Sequence, residues 1–369
     1  MKKRKSRAIL ALALVFCAAL SPFKIRAGAE CLDAECEAVS LSPDVRVSSR
    51  IFELLFGKEK FNRQDGQKYS ALCAGGDVFG IRIKEDHVTV VDSRLDTRIE
   101  SGDTLLSVGG RDVKCIEDVK AATSEYAGGA ITLKLWRDGE EILVDITPSA
   151  EGDEYKLGLS LRDSAAGIGT VTFYDSQSGF FGGLGHGICD NESGEVLGMV
   201  SGTVTGVVLG GVKKGAVGSP GELCGVLTGN EYGTLYSNTD CGVFGVLDEE
   251  RIEDTKALKI GHRSEVHEGD AKIISTVKNG KKCEFAVKIF DVDKDSHGTK
   301  SFKIKVTDKT LIGLTGGIVR GMSGSPIIQD GKLVGAVTHV MVADPTEGYG
   351  IFIENMLSAA QGQIVPKAA

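Results

Sequence analysis

Apolar and polar residues alternate in short runs along most of the chain from residue 70 onward. Alternation with a period of two is typical of β-strands, whose successive side chains point to opposite faces. Regular short strands separated by glycine turns favour a β-barrel or β-sandwich over a parallel sheet with crossover helices. The predicted strands are Val78 to Lys84, Val88 to Asp92, Thr104 to Gly109, Ile131 to Trp136, Glu141 to Thr147, Leu157 to Leu161, Thr170 to Tyr174, Val196 to Val200, Thr203 to Leu209, Lys272 to Val277, Cys283 to Phe290, Ser301 to Val306 and Leu333 to His339.

Residues 70–148 also contain a helical pattern. Ile116 to Tyr126 has apolar residues three and four positions apart, which predicts an amphipathic helix, and Asp138-Gly139 predicts a tight hairpin turn. The segment Ile99 to Gly110 resembles the Gly-Asp signature of a PDZ domain. This resemblance implies that a ligand strand adds beside Val78 to Lys84 and binds its C-terminal carboxylate there. The residues of this carboxylate loop are Val78, Phe79, Gly80 and Ile81. A small α+β module that binds no peptide is the alternative.

The first 29 residues differ from the rest of the chain in charge and hydrophobicity. They contain seven Lys or Arg and no acid, and residues 8–20 are uncharged and apolar. This pattern is typical of a signal peptide or an uncleaved signal anchor, because a spanning helix usually needs about 20 apolar residues. We therefore expect export of the following chain. Residues 30–69 are interpreted as a connector.

The composition of the remaining chain excludes some classes of function. After residue 29 there are 36 Lys and Arg against 51 Asp and Glu. A protein this acidic repels phosphate groups, so we expect no nucleic-acid partner. The nine cysteines include no CxxC pair, which argues against a zinc site. Buried small apolar residues are the preferred interpretation of the cysteines, with disulfide pairing as the alternative.

A glycine-rich loop, Gly321 to Pro326, supplies the sharpest chemical motif. Glycines beside a serine allow the tight turn that exposes a nucleophilic hydroxyl. We take Ser323 as the candidate nucleophile and the N–H groups of Gly321 and Ser323 as the oxyanion hole. Ser325 is the rival serine, and a plain glycine turn is the non-catalytic alternative. The GxSGxP arrangement resembles the nucleophile loop of chymotrypsin-like peptidases.

The candidate base is His186, which lies among the glycines of residues 182–187. Glycine crowding places an imidazole on a turn rather than in a packed core, and a histidine titrates in the range useful for general-base catalysis. His339, in the apolar run Val334 to Val342, is the second choice. For the carboxylate that would orient the base, the sequence leaves three alternatives: Asp308, Asp190 and Asp240.

Several segments together resemble the SpoIVB peptidase family of spore-forming bacteria. They are the basic and apolar N-terminus, the PDZ-like module, Arg162 to Thr170, Leu184 to His186, Thr315 to Ile328, Gly335 to Val340 and Asp344 to Thr346. The resemblance implies a chymotrypsin-like double β-barrel at residues 155–361, preceded by a PDZ-like domain at 70–148. It implies a catalytic histidine at His186, an aspartate at Asp308 and a serine at Ser323. Gly187 departs from the family pattern, where a bulkier residue is expected, and this leaves the rigidity of the loop open.

The same resemblance implies a biological role. The protein would cross the inner forespore membrane, remain membrane-associated until it cleaves itself near its own N-terminal region, and act between the forespore and mother-cell membranes. Its substrate would be a regulator of a membrane-embedded metalloprotease. Cleavage of this regulator would lead to activation of the late mother-cell sigma factor. Peptide C-termini would bind the PDZ-like groove. The chemistry requires no metal or organic cofactor.

Two other functions compete with the serine endopeptidase. A catalytically silent scaffold would use the PDZ-like groove to gather membrane partners and would leave Ser323 unreactive. A cysteine enzyme would use Cys189 or Cys224, although neither lies in a recognisable nucleophile turn. Reaction with a fluorophosphonate distinguishes the serine peptidase from both.

Overall fold

The computed structural model describes residues 69–362, apart from 94–95, 126–128, 153, 191–192, 254 and 279. The predicted signal segment, residues 1–29, and the connector up to residue 68 lie outside the described residues. None of the helices in the described part of the chain is long and apolar enough to cross a membrane.

The described chain consists mainly of β-strands. In chain order these are β1 (Ala71–Ala74), β2 (Val78–Ser93), β3 (Thr104–Val108), β4 (Arg111–Asp112), β5 (Ile131–Arg137), β6 (Glu140–Ile146), β7 (Ser149–Glu151), β8 (Glu154–Lys156), β9 (Leu159–Tyr174), β10 (Phe180–Gly183), β11 (Ser201–Lys213), β12 (Gly221–Thr239), β13 (Gly242–Leu247), β14 (Leu258–Ile260), β15 (Gly269–Lys278), β16 (Lys281–Phe290), β17 (Phe302–Val306), β18 (Val319–Arg320), β19 (Pro326–Gln329), β20 (Lys332–Met341) and β21 (Asp344–Phe352). The helices are α1 (Ile116–Ser124), α2 (Lys309–Thr315) and α3 (Ile353–Gly362).

Six antiparallel strands close into a first barrel. The pairing runs from β2 through β9, β10, β13, β12 and β11 and returns to β2. Its interior is filled by apolar side chains that include Phe79, Ile81, Ile83 and Phe181. Because inward residues alternate with outward ones along each strand, the predicted period of two is realised in this barrel.

A second antiparallel ring follows. It runs from β15 through β16, β17, β21, β20 and β19 and returns to β15. Along β16, Phe285, Val287 and Ile289 are buried while the residues between them are exposed. The prediction of a mostly β, double-barrel protein is therefore confirmed. β1 and β18 link the two barrels. β1 pairs with β9 of the first barrel and with β14, which in turn pairs with β20 of the second. β18, which precedes β19 of the second barrel, pairs with β12 of the first.

A small α+β module is inserted between two neighbouring strands of the first barrel. The first half of β2 lies in the barrel, and the second half pairs with β3 in the module. β9 returns beside β2 from Leu159 to Thr170, so the two strands form one continuous ribbon from module to barrel. Among the described residues the module has its own buried apolar core, drawn from β2, β3, β5, β6, α1, the segment before β9 and the loops that carry Ile99 and Val113.

This arrangement corrects the predicted boundary of the PDZ-like domain at residues 70–148. Residues 71–84 pair with barrel strands rather than with the module. The two predicted strands Val78 to Lys84 and Val88 to Asp92 are parts of β2, a single strand of 16 residues in which Glu85 is buried. The PDZ assignment itself stays a prediction.

Two other local predictions were wrong. The run Val196 to Val200 is not a strand and makes only an isolated bridge, between Val196 and Cys189. Helix α2 was not predicted, since its seven residues are too few to show a helical period.

Candidate active site

The loop between β18 and β19 presents Ser323 at a sharp turn. Gly321 and Gly324, on either side of the serine, have φ angles of 94° and 95°, a region that side-chain-bearing residues rarely adopt. A Cβ at Gly324 would lie 2.0 Å from the carbonyl oxygen of Thr170. Ser325, the rival serine, is fully buried. Within this loop a substrate can therefore reach Ser323, which is half-buried, but not Ser325.

Strand β9 of the first barrel holds this loop of the second barrel in place. The Thr170 N–H donates to the Ser323 carbonyl at 2.9 Å, and the Thr170 hydroxyl donates to the Gly321 carbonyl at 2.8 Å. The Thr172 hydroxyl donates to the Gly324 carbonyl at 2.8 Å. With three carbonyl groups turned toward β9, the intervening N–H groups are directed elsewhere.

Two of those N–H groups are unpaired among the described residues. The N–H groups of Met322, Gly324 and Ser325 donate to backbone carbonyls of the protein. Those of Gly321 and Ser323 have no protein acceptor within the described part of the chain. Unpaired backbone donors beside a serine are the arrangement that an oxyanion hole requires.

The Ser323 hydroxyl is itself engaged. Its Oγ donates to the carbonyl oxygen of Thr338 on β20 at 2.9 Å. Thr338 also contacts the histidine loop, because a Cβ on Gly185 would lie 3.0 Å from the Thr338 methyl group. The residue whose carbonyl holds the serine therefore also lies against the loop that carries His186.

His186 follows two residues in the left-handed region. Leu184 has φ 66° and Gly185 has φ 70°. A non-glycine residue at such an angle is uncommon, and such strain is concentrated at functional sites. Leu184 is buried, and a Cβ on Gly324 would lie 2.5 Å from the Leu184 nitrogen. The turn that leads into His186 thus packs against the serine loop.

The His186 ring is oriented by its own backbone. Nδ1 lies 2.8 Å from the carbonyl oxygen of Gly187. Since a carbonyl only accepts, Nδ1 carries the ring proton and Nε2 has the free lone pair. Burial lowers the pKa of His186 below its ordinary value, while the bond to Gly187 acts in the opposite direction. The imidazole is therefore neutral at neutral pH, in the tautomer that a general base needs.

Gly187 is required by close packing. A Cβ at this position would lie 2.8 Å from the carbonyl oxygen of Thr239 and 2.9 Å from a Val196 methyl group. The Gly187 N–H donates to the Asp240 carbonyl at 3.2 Å. The loop is thus held rigidly although it lacks the bulkier residue expected from the family pattern.

No carboxylate orients His186 within the described part of the chain. Asp308, predicted for this role, caps α2, where it accepts hydrogen bonds from Thr310 and Leu311 at 2.8 Å and 3.0 Å. Asp190 pairs with Arg162, and Asp240 approaches the loop through its backbone. The loops that carry Ser323 and His186 are in contact, whereas Asp308 lies at the beginning of α2.

The second-choice histidine lies beside the first. The ring centroids of His186 and His339 are 5.1 Å apart, with 35° between the ring planes. Burial, followed by the proximity of His186 and Lys300, lowers the pKa of His339 to about 4. Its Nδ1 is buried and has no hydrogen-bond partner among the described groups.

Arg162 connects the chain after His186 to the module ribbon. Its Nε lies 3.2 Å from the buried Glu85 carboxylate, and one terminal nitrogen lies 2.8 Å from the Asp190 carboxylate. Burial raises the pKa of Glu85 above its ordinary value, and the charge of Arg162 opposes that rise. Asp190 is four residues beyond His186, so this ion-pair network anchors the histidine loop to β2 and β9.

The predicted carboxylate loop is not a peptide site. Gly80 pairs with Ile168 on one side and with Thr205 on the other, and Phe79 and Ile81 are buried. Both edges are therefore occupied at Gly80 and Ile81, and β9 occupies one edge at Val78 and Phe79, so a ligand strand cannot add along this segment. This prediction was wrong because the sequence pattern of a barrel strand and that of a peptide-binding strand are the same.

Sequence reasoning missed Thr170, Thr172 and the role of Thr338. Their positions were visible only as strand residues. The Thr170 and Thr172 hydroxyls reach a loop more than 150 residues away along the chain, which leaves no local signal. The Thr338 carbonyl is only 15 residues from Ser323, but a backbone group carries no sequence signal of its own. Only the resemblance pointed to the segments that contain Thr170 and Thr338.

Comparison with known proteins places the site in a family context. The model of the SpoIVB peptidase S55 family matches residues 153–357, which include both His186 and Ser323. A putative zinc metalloprotease of Mesorhizobium japonicum is 32% identical over 81 residues, and the match covers 22% of each chain. The chain thus spans about a fifth of that relative's length.

Solved structures with similarity to this chain include the Rv3671c protease of M. tuberculosis. The inactive form of a serine-to-alanine mutant has a TM-score of 0.33 and 14% identity, over 55% of this chain and 84% of that one. The active form has a TM-score of 0.31 and 13% identity, over 54% and 73%.

Proposed function

This chain belongs to the SpoIVB peptidase S55 family and is a serine peptidase, and we propose that it cuts peptide bonds with Ser323 as nucleophile and His186 as base. The observation that carries the assignment is the serine loop. It presents the half-buried Ser323 hydroxyl beside two backbone N–H groups that have no acceptor among the described residues, and it packs against the turn that carries His186.

The reaction begins with a change of partner for the Ser323 hydroxyl. The proton that now points to the Thr338 carbonyl turns to Nε2 of His186, and Oγ attacks the substrate carbonyl carbon. The Gly321 and Ser323 N–H groups hold the resulting oxyanion. His186 then gives its proton to the leaving amine, and water hydrolyses the acyl-enzyme by the same route. The Gly187 carbonyl keeps the ring proton on Nδ1 throughout.

For the biological role we propose sporulation signalling. Family membership and the basic, apolar residues 1–29 support an exported enzyme that first trims its own N-terminal region. The mature peptidase would act between the forespore and mother-cell membranes. It would cleave a regulator of a membrane-embedded metalloprotease and so activate the late mother-cell sigma factor.

A fluorophosphonate probe tests the catalytic assignment. We expect the wild-type protein to be labelled on Ser323 and to generate new N-termini on incubation, both detected by mass spectrometry. Ser323→Ala should abolish labelling and trimming while the protein stays folded, because the hydroxyl makes a single hydrogen bond.

Ser325→Ala is the matched control. The Ser325 hydroxyl is buried without a hydrogen-bond partner in the described structure, so its loss should leave labelling intact. Labelling that persists in Ser323→Ala, or disappears only in Ser325→Ala, would contradict the assignment. Loss of labelling on thiol alkylation instead would favour a cysteine enzyme.

A further inference from the structure

We propose that Arg162 is a positioning residue for His186. It holds the hairpin that follows the histidine against a bulge of β2, and the buried carboxylate of Glu85 makes this hold depend on pH. The inference rests on the proposed function, since it concerns the loop that carries the base of that site.

The hairpin in question directly follows the base. We call it the histidine hairpin, residues 188–197, of which 191–192 lie outside the described residues. A backbone hydrogen bond of 2.9 Å between its two ends closes it. A Cβ on Gly187 would lie 2.9 Å from a methyl group of Val196 in the hairpin, and the Gly187 carbonyl orients the His186 ring. A shift of the hairpin would therefore move the group that holds the ring.

A bulge in β2 supports the end of this hairpin. β2 inserts residues 85–88 opposite the single β9 residue Asp163, so the two strands change register there. Such a bulge bends its strand and re-aims side chains. The Val200 N–H, just beyond the hairpin, donates at 2.9 Å to the carbonyl that precedes the bulge, and a Cβ on Gly198 would lie 2.5 Å from the Asp86 carboxylate. The histidine hairpin is thus packed on the boundary between barrel and module.

Arg162 joins the hairpin to the bulge. One of its terminal nitrogens lies 2.8 Å from the Asp190 carboxylate in the hairpin, and its Nε lies 3.2 Å from the Glu85 carboxylate in the bulge. The next residue of β9, Asp163, accepts a hydrogen bond from the Ile116 N–H at 3.0 Å, at the beginning of α1. Two successive residues of β9 thus contact the histidine hairpin and the module helix. A displacement of that helix would be transmitted to the base through them.

Glu85 is the unusual member of this group. Its side chain is buried, and neither carboxylate oxygen has a hydrogen-bond partner among the described residues. The Arg162 guanidinium makes its hydrogen bond with Asp190 instead, and its Nε approaches Glu85 without one. A buried carboxylate with a single imperfect ion pair is costly in its charged form. The bulge that supports the hairpin therefore contains a group that favours protonation.

The charged groups around Glu85 come from three elements. Arg162 approaches from β9 and Asp190 from the hairpin. His87 of the bulge places Nε2 3.8 Å from the Glu85 carboxylate and Nδ1 2.7 Å from Asp86. Burial raises the pKa of Glu85 above its ordinary value, and the charge of Arg162 opposes that rise.

The direction of the pH dependence follows from this pKa. Because the pKa of Glu85 is raised, the native protein binds this proton more tightly than the unfolded chain does. The resulting stability is fully present below the ordinary pKa of a glutamate and is lost as the pH rises through the raised value. The bulge therefore holds the histidine hairpin most firmly when Glu85 is protonated.

Amide hydrogen exchange tests the hold without using activity. Full-length protein is compared with Arg162→Gln, both carrying Ser323→Ala to prevent self-trimming, and exchange is followed by mass spectrometry. Peptides from the histidine hairpin should exchange about tenfold faster in Arg162→Gln, because a charge-assisted hydrogen bond is lost. Peptides from β15 and β16 should keep the wild-type rate. Arg111→Gln, which removes a surface ion pair of the module with Glu125, is the matched control and should change neither.

Two results of this experiment overturn the proposal. One is hairpin exchange that is the same in Arg162→Gln and in the control. The other is an equal rise in β15 and β16, which would show only a loss of global stability. If Arg162→Gln does not fold, Glu85→Gln/Arg162→Gln takes its place with the same expectations, since it leaves no unpaired charge in the bulge.

Glu85→Gln tests the dependence on pH. Glutamine imitates the protonated carboxyl, so the hairpin of this variant should exchange about threefold more slowly than that of the wild type at mildly alkaline pH. Below the ordinary pKa of a glutamate the two proteins should exchange alike. Equal exchange at both pH values overturns the role of Glu85.

Peptide cleavage by proteins with Ser323 intact completes the test. Arg162→Gln should lower kcat about tenfold with KM nearly unchanged, because the hairpin positions the base and not the substrate. Arg162→Lys, which keeps the charge, should recover part of the loss, and Arg111→Gln should match the wild type. An unchanged kcat in Arg162→Gln overturns the positioning role. Absence of fluorophosphonate labelling in the wild type overturns the peptidase assignment instead, and the exchange experiment still decides whether Arg162 holds the hairpin.

Discussion

The carboxylate of Asp308 accepts hydrogen bonds from the N–H groups of Thr310 and Leu311, so it stabilises the beginning of α2. The same residue lies 15 positions before Ser323, where the family resemblance places a catalytic aspartate. Paired substitutions at this position distinguish the two roles, because a helix cap and a catalytic carboxylate respond differently to loss of charge.

Asp308→Asn and Asp308→Ala form that pair. Asparagine caps a helix as well as aspartate does, whereas alanine costs about 1 kcal/mol of unfolding free energy. We expect Asp308→Asn to retain stability and kcat/KM, and Asp308→Ala to lose stability with little change in kcat. Urea unfolding and peptide cleavage measure the two. A fall in kcat on the order of 10⁴ in Asp308→Asn would restore the catalytic interpretation.

At this scale the sequence indicated the two glycine turns that carry Ser323 and His186, and the reason is local. Glycines around Ser323 and His186 mark turns that need φ angles close to 70–95°, and such turns are visible in the sequence. The position of His339 beside His186 could not be predicted, since it depends on the register of β20 against a loop of the other barrel. Which distant loops touch is decided only when the barrels close, and the local sequence pattern does not contain that information.

Among the strands and helices, β9 makes the hydrogen bonds that hold the serine loop in place. Its Thr170 bonds two residues of the serine loop, so the first barrel sets the orientation of the oxyanion donors of the second. The prediction of separate strands captured the local pattern of β9 but not its length. Along its length β9 pairs first with the module half of β2, then with the barrel half, and finally bonds the serine loop. Its side chains keep the period of two throughout, so the sequence does not show where its partners change.

Thr170→Val tests this support. Valine keeps the buried shape but leaves the Gly321 carbonyl without its hydroxyl donor. Loss of such a bond costs about 1–3 kcal/mol, so kcat should fall about tenfold while KM stays nearly constant. Thr89→Val is the control, because the Thr89 hydroxyl is buried without a hydrogen-bond partner in the described chain. Equal effects of both variants on kcat would show that Thr170 acts only through the fold.

The whole molecule is organised around the ribbon of β2 and β9. The module lies at its far end, and the Glu85, Arg162 and Asp190 network joins the ribbon to the histidine loop. Sequence reasoning placed the module before the peptidase, since the chain order is the same for an insertion and for a preceding domain. Only strand pairing distinguishes the two architectures.

Removal of the module tests the architecture. Lys84 and Ser164 are cross-strand partners, so an Asn-Gly turn in place of residues 85–163 should close the hairpin and leave both barrels folded. We expect a cooperative unfolding transition and continued labelling of Ser323, with a lower cleavage rate because Asp190 loses Arg162. A shortened protein that cannot fold would contradict the description of the module as an insertion.

The inserted module also imposes an order on folding. Ile83 and Ala165 are adjacent in the barrel but about 80 residues apart in the chain. Closing a flexible loop of that length costs about 3 kcal/mol more than closing a two-residue turn, by the logarithmic dependence of chain entropy on loop length. Once the module has folded, its ends hold the two strands side by side and that cost is already met. The module is thus an internal folding nucleus for the first barrel, and mutations that weaken it should delay maturation of the peptidase before they alter the finished active site.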